Sequence, residues 1–168
     1  WEYEKITAAS QIASMPVTIG KPLLSTERDC SRVADAIAGH VADPRDWITV
    51  LTGHGSTHDE AAKMYGLFDR HLKNRYQENV YLSMVEGLPS WDKVLRQISN
   101  TGIKKVKFIP FMLVAGEHMQ RDVLGDHATS WVSSLNGYEI SAGTPGLGFN
   151  EQILEIYFDH IHDAIRQG

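Results

Sequence analysis

Five short apolar runs separated by longer amphipathic stretches constrain this chain more than any other feature. The runs cover residues 16–20 (PVTIG), 47–52 (WITVLT), 79–85 (NVYLSMV), 106–114 (VKFIPFMLV) and 138–142 (YEISA). Most are continuously apolar, as in strands covered on both faces, whereas half-exposed hairpins would alternate. Between them, apolar residues recur at helical spacing over 26–40, 59–75, 90–101, about 119–136 and 150–166. Strand, helix, strand in this order predicts right-handed crossovers and an α/β fold with a parallel sheet flanked by helices.

Local punctuation supports these boundaries. Ser25 and Thr26 precede Glu27 and Asp29, and Ser90 precedes Trp91 and Asp92, two helix starts with acids in the first turn. Gly102 follows Asn100 and Thr101 where the third helix must stop. Pro110, inside an apolar run, predicts an edge or a bulge in that strand.

The 168 residues, 42% of them hydrophobic, suffice for one globular core. Sixteen basic residues against 21 acidic ones give a formal charge of −5, with no polybasic block, so no nucleic-acid partner is expected. No apolar run is long enough to span a bilayer and the first ten residues are too polar for a signal peptide, so no membrane partner is expected either. Cys30 stands alone, which rules out an internal disulfide and a thiolate metal cluster and leaves the redox compartment open. The chain begins with Trp1 in place of Met, which predicts residues upstream.

A faint internal repeat points the same way. VTIGKPLLSTERDCSRVADAI and EISAGTPGLGFNEQILEIYFDHI share a strand-like run, a Gly, a Pro, a Leu and an amphipathic helix, aligning Gly20 with Gly143, Pro22 with Pro145 and Leu24 with Leu147. Either any two βα units look this similar, or the chain carries a duplication and residues 1–25 close an earlier domain.

In open parallel sheets ligands bind beyond the carboxyl ends of the strands. Three such positions carry metal-competent side chains: His54 in GHGSTH, Glu86 in VEGLP and His118 in VAGEH. Successive spacings of 32 residues, about one βα repeat, place them at one level of neighbouring strands. Two imidazoles and a carboxylate suit a borderline divalent ion and leave coordination positions open. Gly53 and Gly55 allow a tight turn around His54 and close approach of a bulky ligand. His58 and Glu117 are the near substitutes; His40, His71, His127, His160 and His162 are assigned to surface or packing roles. Met112, Met119, Trp131, Leu147 and Phe149 line an apolar cleft or fill the core. No dinucleotide fingerprint or phosphate loop occurs, so no nucleotide cofactor is expected. Ser56 lacks the elbow pattern of hydrolases.

The runs GHGSTH, VEGLPSW, FIPFMLVAGEHMQRDVLGD, SW at 130–131 and GLGFN, with EYEKI and GKPLL nearer the start, resemble the class II tetrapyrrole chelatases, and among these the long bacterial sirohydrochlorin cobaltochelatases of anaerobic cobalamin synthesis. The resemblance implies a chelatase-like (Rossmann/flavodoxin-like) fold of two duplicated α/β domains. Residues 1–25 would be the terminal helix and strand of a mostly missing N-terminal domain, and 26–168 the C-terminal domain carrying the metal site. It implies that His54, Glu86 and His118 are both catalytic and metal-binding. The implied activity is ATP-independent insertion of cobalt, with iron, nickel or zinc as alternatives, into sirohydrochlorin or a related tetrapyrrole. The other reading is a truncated or diverged domain that binds metal or haem without turnover. Lys21, Lys63 and Arg121 are candidate partners for substrate carboxylates, a homo-oligomer or a missing N-terminal segment would complete the cleft, and the expected location is the cytoplasm, with the periplasm left open.

Overall fold

The computed structural model describes residues 2–13, 16–143 and 145–167. Four parallel strands, β1 (Ile48–Ser56), β2 (Val80–Gly87), β3 (Lys105–Pro110) and β4 (Glu139–Ala142), lie in the order β2-β1-β3-β4. The helices are α1 (Glu2–Gln11), α2 (Glu27–Ala36), α3 (Asp59–Tyr76), α4 (Trp91–Thr101) and α5 (Glu151–Gln167).

The continuous apolar character of the strands has the consequence expected of it, because both sheet faces are covered. Leu51, Leu82, Met84 and Ile109 pack with α2, α3 and α5, among them Val33, Phe68, Leu72, Ile153 and Ile156. Ile48, Val50, Val106 and Phe108 pack on the other side with Val94 and Ile98 of α4 and with Met119, Val123, Trp131 and Leu135. From β1 the chain moves outward to β2 on one side, and later to β3 on the other. The topology therefore switches at β1 and β3, where an open parallel sheet leaves a crevice beyond its carboxyl ends.

The caps follow the sequence. The Thr26 hydroxyl accepts the Asp29 backbone N–H at 3.1 Å, and Gly102 ends α4 in the left-handed conformation at φ 77°.

Three expectations need correction. Residues 16–20 run without a strand partner among the described residues: 16–18 are exposed, and Gly20 lies against His160 and Ile161 of α5. Their short apolar run, opened by a proline, meets α5 at Gly20 rather than a strand of the sheet. The strand expected over 106–114 stops at Pro110 and is interior rather than an edge. Phe111 N–H points to Thr52 of β1, so the missing N–H of Pro110 points to the β4 side, where pairing has already ended at Phe108 with Ala142. At that level β3 has only one neighbour, which is where a proline is tolerated. Finally, the helix expected over 119–136 is one π-helical turn (Met119–Val123) and a short 3-10 turn (Val132–Ser134). Gly125 interrupts the pattern, and its position against the Arg121 carbonyl leaves no room for a Cβ.

Candidate metal centre

His54 stands near the carboxyl end of β1, exposed above a fully buried strand. Its flanking glycines serve different needs. Gly55 has φ 85° and faces Glu86 of β2 so closely that a Cβ would lie 1.9 Å from the Glu86 carbonyl oxygen. At Gly53 a Cβ would meet the Met84 sulfur at 2.5 Å, so this glycine makes room for a core methionine rather than for a ligand.

His118 arrives from β3 by a loop pinned at several points. Leu147 N–H donates to the Met112 carbonyl (2.7 Å), Gly148 N–H to the Leu113 carbonyl (2.9 Å) and Ala115 N–H to the Pro145 carbonyl (2.8 Å). These bonds turn the chain over the end of the sheet and bring the His118 ring to His54. The ring centroids are 4.6 Å apart and nearly perpendicular, at 80°.

The hydrogen-bond partners define the free nitrogens. His54 Nδ1 meets the Gly55 carbonyl at 3.3 Å and His118 Nδ1 meets an Asp122 carboxylate oxygen at 2.7 Å. A carbonyl or ionised carboxylate only accepts, so each Nδ1 carries the proton and each neutral ring keeps its lone pair on Nε2. Metal–nitrogen bonds of about 2.0–2.1 Å place the centroids of two imidazoles sharing an ion about 5 Å apart. The pair fits that spacing.

Glu86 is placed differently from the two histidines. It is exposed on β2, opposite Gly55, and no group of three or more His, Cys, Asp or Glu side chains stands ready to hold an ion among the described residues. The structure thus brings His54 and His118 together and puts Glu86 on the adjoining strand end.

Residues 1–166 match the family described as cobalt chelatase (CbiK). The chain belongs to that family. It is 32% identical over 171 residues to the sirohydrochlorin cobaltochelatase of Salmonella typhimurium, covering 98% of this chain and 64% of the relative. It is 29% identical over 152 residues to the sirohydrochlorin cobaltochelatase CbiKC of Nitratidesulfovibrio vulgaris, covering 88% of this chain and 53% of the relative. The chain thus spans less than two thirds of the length of these relatives. Its fold is shared with SirB from Bacillus subtilis with Fe3+ (TM-score 0.63, 17% identity, 96% of this chain and 63% of that one). It is also shared with the sirohydrochlorin chelatase SirB from Bacillus subtilis subspecies spizizenii in complex with cobalt (TM-score 0.57, 20% identity, 96% and 60%). The expected chelatase-like α/β fold is the observed one.

The near substitutes among the site candidates have other partners. His58 occupies the N-cap position of α3 without a side-chain cap bond, and its Nε2 lies 4.0 Å from Glu4 of α1. Glu117 is highly exposed and pairs with Arg121 at 3.8 Å. The Ser56 hydroxyl accepts the His58 backbone N–H. His160, assigned to packing, is buried between the Lys21 carbonyl (3.1 Å) and the Asp29 carboxylate (3.3 Å). Of the candidate carboxylate partners, Lys63 pairs with Glu60 at 3.2 Å, whereas Lys21 lines a cavity of about 590 Å³. Tyr3, Leu24, Met64, Phe111 and Tyr157 contribute to its wall, and burial raises the Tyr157 phenol above its ordinary pKa. Phe111 joins this cavity to the strand end, lying 3.7 Å from the position of a Cβ on Gly53. Met119, Trp131 and Leu147 are buried, while Phe149 is 70% exposed.

Sequence reasoning missed Asp122. The signal was available: Asp122 follows His118 by four residues, the spacing at which side chains meet along a helical turn.

Proposed function

We propose that this chain is the metal-handling part of a sirohydrochlorin cobaltochelatase, inserting Co2+ into the metal-free macrocycle without a nucleotide. The observation that carries the reading is the His54–His118 pair at the topological switch point, the Nδ1 of each ring already engaged by a backbone carbonyl or a carboxylate. Family membership and the names of the two curated relatives support it.

In this reading cobalt is a substrate. His54, Glu86 and His118 are its ligands, with Glu86 swinging in from the β2 end as the ion arrives. Three ligands leave exchangeable positions, where water gives way to pyrrole nitrogens. Insertion replaces two pyrrole N–H protons by one dication, so charge balances when both protons leave the site. Imidazole is the side chain that exchanges a metal for a proton near physiological pH, and His54 takes the role of base as the ion passes to the macrocycle. Ligand affinity discriminates poorly among iron, cobalt, nickel and zinc, so all four are tested.

The apolar cavity beside the strand ends receives one edge of the macrocycle, with Lys21 toward a substrate carboxylate. The opposite wall comes from a second chelatase-type domain or a second copy. A chain division at residue 25 belongs to the same reading: among the described residues α1 stays outside both core clusters, although Leu23 and Leu24 just before the division already pack with the first.

Anaerobic incubation with sirohydrochlorin and Co2+, followed by absorption, tests the proposal. Insertion faster than the uncatalysed rate, abolished by His54→Ala in a folded protein, is expected. Metal binding without any rate enhancement would overturn it in favour of a binding domain.

A further inference from the structure

We propose that Asp122 is a positioning residue for the metal site: it accepts the Nδ1 proton of His118, fixes that ring as the Nδ1–H tautomer and aims its Nε2 lone pair at the ion. The inference rests on the reading of His118 as a ligand. Three observations support it.

The first is the contact. His118 Nδ1 and Asp122 Oδ2 are 2.7 Å apart, the short distance of a charge-assisted bond. Among the described residues His54 has the Gly55 carbonyl, at 3.3 Å, for the same purpose. The two ligands are therefore oriented unequally, and a carboxylate partner also makes the imidazole it holds a stronger donor.

The second is the backbone that delivers the carboxylate. Asp122 belongs to a π-helical turn, a wide turn often found at functional sites, and His118 is its N-cap residue. Met119 and Val123 bury its inner face, 3% and 0% exposed. The Asp122 carbonyl accepts the Trp131 N–H at 3.0 Å, and His127 Nε2 donates to the Arg121 carbonyl at 2.7 Å. Both side chains are part-exposed, yet the carboxylate starts from a fixed point and spends little entropy in reaching the ring.

The third is the neighbouring charge. Arg121 is engaged by Glu117 rather than by Asp122. Among the described residues the one ion pair of Asp122 is with His118.

The test uses the 168-residue chain and Co2+ alone. Imidazole tautomers are read by two-bond proton–nitrogen correlation in the metal-free protein at mildly alkaline pH, and cobalt affinity by competition titration. Asp122→Ala is expected to weaken cobalt binding about 10- to 100-fold and to convert His118 from Nδ1–H to a mixture of tautomers. Asp122→Asn, whose amide oxygen still accepts, is expected to keep the tautomer and lose affinity several-fold at an unchanged unfolding midpoint. Wild-type affinity in either folded variant, or an unchanged His118 tautomer in Asp122→Ala, overturns the proposal. His118→Ala separates the two readings: if it leaves cobalt affinity intact, the ligand role proposed above fails instead.

Discussion

Replacing Gly55 by alanine probes the join between β1 and β2 at the strand ends that carry His54 and Glu86. Gly55 has φ 85°, and a Cβ there would stand 1.9 Å from the Glu86 carbonyl oxygen, 2.7 Å from Met84 Cβ and 2.9 Å from the Glu86 carbonyl carbon. Two costs add. Left-handed backbone disfavours alanine by about 1–2 kcal/mol. The contacts add an overpacking cost of about 1–3 kcal/mol, because all three obstacles are backbone or Cβ atoms that no rotamer change can move. The total, about 2–5 kcal/mol, is a large share of the roughly 5–15 kcal/mol that holds a domain folded. At about 2–4 °C per kcal/mol for a chain of this size, the midpoint falls by roughly 4–20 °C. Gly66→Ala is the control. Gly66 lies on the exposed side of α3 with nothing within 4 Å of a new Cβ, and the same methyl there should gain up to about 1 kcal/mol. Urea and thermal unfolding of the two variants beside the wild type give the comparison, and cobalt titration of Gly55→Ala should show weaker binding as the strand ends separate. A Gly55→Ala protein that unfolds with the wild type would refute the reasoning.

Other expectations follow from the same geometry. Cys30 is fully buried, and burial with Asp29 and Glu27 nearby pushes its thiol from 9.0 to about 11. It should therefore resist an aromatic disulfide reagent until the chain unfolds. The raised value also contributes stability that is whole below 9.0 and is lost as pH climbs toward about 11, visible as a falling urea midpoint over that window. Asp29→Ala removes the buried carboxylate that His160 Nε2 faces and that accepts the Thr26 hydroxyl, and should cost about 1–3 kcal/mol in chemical denaturation. Trp131, 6% exposed and stacked on Trp91 at 4.8 Å, should cost about 3–5 kcal/mol when cut to alanine, with altered tryptophan fluorescence.

Much of this architecture was legible in the sequence because burial on both faces leaves an unmistakable residue pattern. WITVLT and NVYLSMV carry no charged residue to confuse their assignment, and they became β1 and β2 within two residues at their starts. Helix ends written in local chemistry, such as Thr26 and Gly102, were equally readable. The run at 16–20 shows the limit. Apolar composition makes a segment competent for a sheet, but pairing needs a neighbour at the right distance, and that is a property of the whole fold.

The site was legible to a different depth. Position along the chain was enough to place His54 and Glu86, because the residue after a parallel strand lies at the sheet's carboxyl end whatever its identity. It was not enough for His118. The apolar run FIPFMLV extends the strand pattern four residues past Pro110, and amphipathic spacing over 119–136 imitates one long helix. In the folded chain that stretch spends its backbone bonds on tertiary partners: Phe111 on Thr52, Leu147 and Gly148 on Met112 and Leu113, and Trp131 on Asp122. These contacts join residues up to 59 positions apart and leave no local periodicity to detect. They also decide where the second imidazole and its carboxylate stand. The least regular backbone between β3 and β4 therefore sets the most exacting geometry of the centre, with His118 carried to His54 by a loop whose hydrogen bonds replace a sheet ladder.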